Sequence, residues 1–420
     1  MKVLLVSPVA GRDGAGGDVT YTQTLVANPP PGVRYETYDD ALARGALRER
    51  GIGRALKALL RGGPRARLPG EAALTLAAKA VHLARARRWL YWEPFRFFEV
   101  RRGEYDLIHT HIFSARFEGL DCPLVISCGG PLSHLYLDAR HYSQARVAAL
   151  DRADLRLGRA LGVNVPDKYL PQAKRLMVYS ERARAEIAAQ GTIGAERIDV
   201  VPTFQATPPL PPAPARAPFR VGFVARNFEQ KGGETLLRAW PLVRQQRPDA
   251  HLTIAGSPQP QTLPPPEANI EWLPYVARAR VLNELLPSFD VFAYPTSYDY
   301  LPCYTLLEVM ARGVPVAGSD HRDMDIALGV PTAGLSAASV PVAGVPVAGV
   351  STANDSSQTR DGQAGLISPT HDAAALAHNI LRLLEPETNR RFRAGARAHF
   401  EAHFSREAVL PLLSECYRKG

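Results

Sequence analysis

The stretch RVGFVARNFEQKGGETLLRAW, residues 220–240, has the pattern that decides the fold. Its apolar start predicts a β-strand that ends near Ala225, and helical spacing begins near Gly233. The loop between them carries Arg226 and Lys231. Ligands of open α/β sheets bind where strands end, and a helix N-terminus there offers free N–H groups to an anion. We therefore expect a diphosphate site, with Arg226 as a planar fork and Lys231 as a point charge.

The same alternation of strands and helices runs along the whole chain. Apolar, β-branched runs separated by Ala/Leu/Arg-rich helical stretches imply βαβ units and parallel sheets. The predicted strands include KVLLVSP, YDLIHTH, PLVISCG, RLMVYS, RIDVVPT, HLTIAGS, VFAYPTS and VPVAGSD. We therefore expect an α/β fold with two Rossmann-like domains.

Proline divides the chain, because the sequence ATPPLPPAPARAP at 206–218 can continue neither a helix nor an interior strand. We expect a first domain at 1–205 and a second at 219–395. A doubled VPVAG and a polar run predict a surface insertion at 330–361 within the second domain. The remaining helical segment, 396–420, could pack back on the first domain.

Composition excludes several classes of protein. Hydrophobic residues make up 46% and charged residues 22% of the 420 residues, which excludes a mainly disordered or fibrous chain. No uncharged apolar run reaches the ~18 residues that a spanning helix needs. The four cysteines show no CxxC pairing, which argues against a disulfide framework or a zinc site. The cysteine usage makes a reducing cytoplasm the expected location. The initial apolar run is too short for a signal peptide and reads as a β-strand.

The net charge of +9 is concentrated in one segment, residues 41–105, which carries 15 Lys and Arg against 5 Asp and Glu. Aromatic residues interleave with arginines in RRWLYWEPFRFFEV at 87–100. Such a mixture suits peripheral contact with an anionic membrane surface. An Arg-rich helical hairpin that covers a sheet is the alternative. We expect no nucleic-acid partner, because no known binding module accompanies the charge.

A second motif, PTSYDYLPCYTLLEVMARGVPVAGSD at 295–320, reads as strand, loop, short helix and strand. Backbone N–H groups around Cys303, Tyr304 and Thr305 would lie at the start of the helix and face the same cleft. Glu308 lies one turn further on. A carboxylate there can accept hydrogen bonds from two neighbouring hydroxyls, as a ribose presents them.

Together the two motifs resemble glycosyltransferase family 4, the retaining nucleotide-sugar enzymes of the GT-B fold. Lys231 follows Arg226 by five residues, and EVMARGVPVAGS matches the second Glu of the family's E-x7-E and its tail. The resemblance implies two Rossmann-like domains that face each other across a cleft. It also implies that Arg226 and Lys231 hold the donor diphosphate and that Glu308 holds the ribose. The first Glu falls at Tyr300, and Asp299 beside it could serve near the donor sugar.

The first half resembles the family less closely. Gly16 and Gly17 match its first loop and would approach donor phosphate or acceptor. Cys128 occupies the position of a His that contacts the donor sugar in many relatives, and Gly129 follows it.

Histidines near this strand, His109 and His111, would face the same cleft, or they are ordinary strand-end histidines. His134 is a weaker candidate.

Metal binding is not expected. The Asp-Met-Asp at 323–325 could suggest a metal site, but Arg226 and Lys231 already neutralise the phosphates in this interpretation. The family's usual Gly-Gly…Glu is replaced here by DHRDMD, residues 320–325.

The sequence thus predicts a metal-independent and cofactor-free transferase. It would move a sugar from a nucleotide-diphosphate donor to a saccharide or lipid-linked acceptor in cell-envelope synthesis. A non-catalytic GT-B paralogue that acts as a binding or scaffolding subunit is the alternative, and a nucleotide-sugar epimerase is a further one.

Overall fold

A computed structural model describes most of the chain in two compact units. The described residues are 1–7, 17–50, 96–111, 115–130, 156, 159–160, 166–206, 219–258, 268–297, 299, 302–331 and 359–420. The first unit comprises described residues of Met1–Val201 together with Leu410–Gly420. The second comprises described residues of Pro202–Ser339 and Ala348–Val409. The boundary between Val201 and Pro202 lies just before the proline-rich stretch, of which 207–218 fall outside the described residues.

The first unit contains nine described strands and four described α-helices before the C-terminal helix. The strands are β1 (Lys2–Val6), β2 (Arg34–Thr37), β3 (Leu47–Arg50), β4 (Arg96–Val100), β5 (Leu107–His111), β6 (Ala115–Glu118), β7 (Leu124–Cys128), β8 (Arg175–Val178) and β9 (Ile198–Val200). The helices are α1 (Gly17–Ala27), α2 (Tyr38–Ala43), α3 (Pro166–Tyr169) and α4 (Glu181–Ala189), with 3-10 turns at Leu170–Gln172 and Ala195–Arg197.

Six of these strands form a parallel sheet in the order β2-β1-β5-β7-β8-β9. Its central strands are buried along their whole length, because a parallel sheet is covered on both faces. All five residues of β5 and of β7 are buried. Helix α4 begins where the Ser180 side chain accepts a hydrogen bond from the Ala183 backbone N–H over 3.0 Å.

Part of the basic segment forms a strand. Arg96–Val100 runs antiparallel to β3 and parallel to β6 in a separate three-stranded sheet. Phe98 is fully buried there and stacks on Phe117 with ring centroids 5.3 Å apart. The helical-hairpin alternative is therefore wrong for 96–100, and at least this aromatic ring belongs to a core. Residues 51–95 lie outside the described residues.

The second unit has seven described strands around β10. They are β10 (Arg220–Val224), β11 (His251–Ala255), β12 (Ile270–Leu273), β13 (Val291–Tyr294), β14 (Val316–Ser319), β15 (Arg360–Asp361) and β16 (Gly365–Ser368). Their order is β12-β11-β10-β13-β14-β16-β15, and all neighbours are parallel except β15 and β16. The chain moves outward from β10 to β12 and then returns to β13, which makes the edge between β10 and β13 a topological switch point.

Helices of the second unit cover this sheet. They are α5 (Gly233–Gln246), α6 (Tyr304–Met310), α7 (Met324–Ala327), α8 (Ala373–Leu384) and α9 (Pro386–His403), with a helical segment in three pieces, Arg278–Arg280, Val281–Leu285 and Leu286–Ser288. Trp240 of α5 is buried in the core, and its indole N–H donates to the Ala268 carbonyl over 2.7 Å. The last helix, α10 (Arg406–Lys419), begins in the second unit and ends in the first.

The predicted α/β fold with parallel sheets is confirmed, and the strands quoted from the sequence all form. Among the described residues, no helix combines the length and the apolar character required to cross a membrane.

Candidate functional site

The loop after β10 and the loop after β13 meet at the switch point of the second unit. Two glycines permit this approach. Gly232 has φ +81°, and a Cβ there would collide with the carbonyl oxygen of Pro295, just beyond β13. A Cβ on Gly233 would meet the ring of Phe228. Glycine at 232 therefore lets the loop that carries Lys231 lie directly against the end of β13, and glycine at 233 lets the loop pack on its own Phe228.

Lys231 and Asp299 form an ion pair between these two loops. The Tyr294 hydroxyl, at the end of β13, donates to the same Asp299 oxygen, and it lies 3.1 Å from the Cys303 sulfur. Side-chain exposure is 23% for Lys231 and 16% for Asp299. The pair is thus partly accessible, whereas Tyr294 below it is buried.

Electrostatics keep the lysine charged. Burial lowers the pKa of Lys231, but the charge of Asp299, the neighbouring Cys303 and the hydrogen bond to Asp299 together raise it above its ordinary value. Burial, reinforced by Asp299, raises the pKa of Cys303 to about 12, which leaves a neutral thiol at physiological pH. The site therefore presents a cation rather than a cysteine nucleophile.

His321 holds the other side of Asp299. The Asp299 backbone N–H donates to His321 Nε2 over 3.1 Å, so that nitrogen carries no proton. Burial lowers the pKa of His321 to about 4, with a further contribution from Arg322. This role was not predicted from the sequence. The sequence did hold a clue to it, because His321 lies in DHRDMD, the segment that stands where family 4 usually has glycines.

Arg226 is exposed on the same loop as Lys231, directly after Ala225, whose carbonyl accepts a hydrogen bond from the Ser257 hydroxyl. The structure thus places both basic residues of the predicted diphosphate site at one strand end.

Glu308 lies on α6 and is only 3% exposed. Its Oε1 accepts hydrogen bonds from Arg278 and, over 3.2 Å, from Gln205 Nε2. Burial raises the pKa of Glu308, and Arg278 opposes that rise. The motif indicated Glu308, but no pattern in the sequence indicated Arg278 or Gln205.

The predicted start of this helix is correct. Cys303 is the residue before the first turn of α6, with φ −89° and ψ 161°, and Tyr304 and Thr305 begin the helix. Tyr304 is buried and Thr305 is half-buried. Tyr300 lies outside the described residues.

Two candidate histidines of the first unit lie in a sealed polar cluster. His109 is fully buried, with Nδ1 2.7 Å from the Tyr417 hydroxyl and Nε2 2.9 Å from the Ser127 hydroxyl. His111 Nδ1 is 2.8 Å from the same Ser127 oxygen, and its ring stacks on Tyr21 with centroids 3.8 Å apart. This geometry favours the strand-end alternative over contact with a substrate.

The remaining site residues predicted in the first unit are Cys128, Gly129, Gly16, Gly17 and His134. Cys128 ends β7 and is buried, and burial raises its pKa to about 12. Gly129 follows it and is buried too, while Gly17 begins α1 and is exposed. Gly16 and His134 lie outside the described residues. No group of His, Cys, Asp or Glu that could hold a metal ion occurs among the residues that the structure describes.

Residues 218–335, which include the whole Lys231–Asp299–Glu308 region, match the family described as Glycosyl transferases group 1. No curated protein has a significant sequence match to the chain.

Solved structures of glycosyltransferase type have the same fold. A sucrose-phosphate synthase from Thermosynechococcus elongatus has a TM-score of 0.57 at 17% identity, covering 100% of this chain and 99% of its own. HepE from Anabaena in complex with UDP has a TM-score of 0.55 at 16% identity, covering 100% of both chains. A glycosyltransferase from Rickettsia africae has a TM-score of 0.54 at 11% identity, covering 100% of this chain and 98% of its own. The chain therefore has the GT-B fold.

Proposed function

We propose that the protein is a retaining, metal-independent glycosyltransferase of the family 4 type. It moves a sugar from a nucleotide-diphosphate donor to an acceptor hydroxyl. The observation that carries the proposal is the charged Lys231 held by Asp299 at the switch point, with Arg226 on the same loop. This site lies inside the segment that matches the Glycosyl transferases group 1 family.

Lys231 and Arg226 act on the leaving group. Breaking the anomeric C–O bond places additional negative charge on the departing diphosphate. Two cations at that point stabilise the transition state more than the ground state, which is what lowers the barrier. The raised pKa of Lys231 serves this role, because the amine must be protonated to act.

Asp299 takes the place of the family's first Glu. Its carboxylate already accepts from Lys231 and Tyr294, and His321 binds its backbone N–H. A carboxylate fixed by two side chains, on a backbone held by a third, can accept hydrogen bonds from sugar hydroxyls in one orientation. Asp299 would therefore both hold Lys231 and orient the donor sugar.

Retention requires no strong protein base. The acceptor attacks the face from which the diphosphate leaves, and the leaving phosphate takes the acceptor's proton. The buried thiol of Cys128 is consistent with such a reaction, since its pKa of about 12 makes it a poor base at neutral pH.

The acceptor is a saccharide, free or lipid-linked, in cell-envelope polysaccharide or glycolipid synthesis. The net positive charge of 41–105 supports peripheral contact with the inner face of an anionic membrane. HepE has been solved with UDP-glucose and with UDP and glucose, which supports a UDP-sugar as the first donor to test.

A non-catalytic binding subunit is the second candidate, because Cys128 occupies the position of a sugar-contacting His. An epimerase is less well supported, because it would need acid and base groups near the sugar.

The test is nucleotide release from UDP-, GDP- and ADP-sugars, with and without EDTA, by the wild type, Lys231→Ala and the exposed control Lys174→Ala. We expect release from one donor, unaffected by EDTA, and a loss of more than about 100-fold in Lys231→Ala alone. Binding without turnover, even with candidate acceptors, would favour the binding subunit. Absence of any nucleotide binding would refute the proposal.

A further inference from the structure

Glu308 is held by two side chains from distant parts of the second unit. Arg278 Nη2 and Gln205 Nε2 both donate to Oε1. The third neighbour, Arg312, donates from Nη1 to the backbone carbonyl of Glu308 over 2.8 Å. Within the described part of the chain, the side-chain donors to this carboxylate thus fall on one oxygen, and Oε2 keeps its acceptor capacity.

The ionisation of Glu308 matters for its proposed partner. A ribose offers two adjacent hydroxyl donors, which an ionised carboxylate accepts, whereas a protonated carboxyl is itself a donor. Burial at 3% exposure disfavours the ionised form. A guanidinium is always protonated at physiological pH, so Arg278 supplies the compensating charge. Arg312 adds a second positive charge nearby.

Arg278 is placed to act on Glu308 without being part of the core. It begins the helical segment that follows β12, and 44% of its side chain is exposed. Removing its guanidinium would leave no internal cavity, so its effect on binding can be separated from folding.

Gln205 is fixed by its backbone. Its N–H donates to the Phe404 carbonyl over 3.1 Å, and it pairs with Ser405 in an isolated bridge. The Gln205 side-chain oxygen accepts from the Ala206 N–H over 2.9 Å, which turns the amide nitrogen toward Glu308. The Gln205 amide nitrogen is therefore held in a fixed position as a donor to Glu308.

We propose that Arg278 and Gln205 are positioning residues that keep Glu308 ionised and occupy Oε1, so that Oε2 accepts the hydroxyls of the nucleotide ribose. This inference rests on the proposed function and deepens it. It assigns ribose recognition to three side chains, of which the sequence motif contains one.

The experiment measures the affinity of the tightest-binding nucleoside diphosphate among UDP, GDP and ADP, and of its 2′-deoxy form, at pH 8 and pH 6. We expect Arg278→Met to weaken ribonucleotide binding about tenfold at pH 8 and about a hundredfold at pH 6 relative to the wild type. The reason is that Glu308 protonates more readily once its main cation is lost. The preference for the ribose over the deoxyribose form should fall in parallel.

Control variants distinguish the loss of the Arg278–Glu308 contact from a general change in charge or folding. Arg280→Met removes the same charge from the same segment, but Arg280 pairs with Glu284 over 3.3 Å and should leave affinity unchanged. Arg278→Lys keeps the charge and should restore most of the binding at pH 6.

Glu308→Gln should lose the preference for ribose over deoxyribose. Its affinity should change with pH only as far as the nucleotide itself titrates. Gln205→Leu should weaken binding a few-fold.

Two results would overturn the inference. If Arg278→Met binds more tightly than the wild type, Arg278 competes with the ligand instead of positioning Glu308. If Arg278→Met and Arg280→Met behave alike, the contact with Glu308 has no role in binding. Both results assume a wild type whose binding depends on Lys231. A wild type that binds no nucleoside diphosphate refutes the proposed function itself, and this inference with it.

Discussion

The two units each place a cluster of titratable side chains at strand ends, but the clusters differ in charge and access. In the first unit, the buried and neutral His109 bonds to Tyr417 and Ser127. In the second unit, Lys231 and Asp299 form a partly exposed ion pair. Histidine, tyrosine, lysine and aspartate side chains at strand ends therefore do not by themselves identify a catalytic site. The sealed cluster stabilises a fold, whereas the accessible pair can bind a charged ligand.

The largest expected effect comes from breaking the ion pair with Asp299→Asn. Burial would then dominate, the pKa of Lys231 would fall, and nucleotide release should drop by about 100-fold at pH 8. The loss should shrink as the pH is lowered, because Lys231 regains its proton. The measurement is the pH profile of nucleotide release. Asp361→Asn breaks the exposed Arg382 pair in the same unit and should leave the profile unchanged.

The sealed cluster predicts a pH dependence of stability. Burial lowers the pKa of His109 to about 3, so only the unfolded state takes up a proton as the pH falls below about 6.5. His109 should therefore cost up to about 1.4 kcal/mol of unfolding free energy per pH unit between about 6.5 and 3. Urea denaturation of the wild type and His109→Gln at several pH values measures the difference. Parallel curves for the two proteins would contradict the assignment.

A smaller effect is expected from Tyr417→Phe, which keeps the ring and removes the hydroxyl. That hydroxyl lies 2.7 Å from His109 Nδ1 and 2.9 Å from the Tyr35 hydroxyl. Leaving the buried His109 and the half-buried Tyr35 without this partner should cost about 1–3 kcal/mol of unfolding free energy. Nucleotide affinity of the folded protein should not change, and a matching loss of affinity would show that the clusters are coupled.

The smallest effect concerns His321→Gln. Glutamine can still accept from the Asp299 backbone N–H, so we expect nucleotide release to fall only a few-fold, whereas His321→Leu should cost about tenfold. Both variants should keep the wild-type pH profile between pH 5.5 and 8, because the pKa of His321 is about 4. A titration step that the wild type shows in that range and both variants lose would indicate that His321 transfers a proton.

The sequence predicted most of the parallel strands because each contains a short run of apolar and β-branched residues. It missed β3, β4 and β6, whose short segments carry charged residues and lack that pattern. Lys231 and Glu308 were found because each lies in a motif with fixed spacing. Arg278 and Gln205 were not, since each comes from a separate part of the chain and only the fold brings it to Glu308. Nothing local in the sequence links His109 to Tyr417, 308 residues away.

That separation has a consequence for synthesis. A ribosome adds about 5–20 residues each second, so His109 is added to the chain roughly 15–60 s before Tyr417. During this interval the central strand of the first unit carries a histidine without its tyrosine partner. The second unit, encoded between the two residues, can fold while the first is still incomplete. The first unit can therefore be completed only after the second has been synthesised, because Leu410–Gly420 belongs to the first.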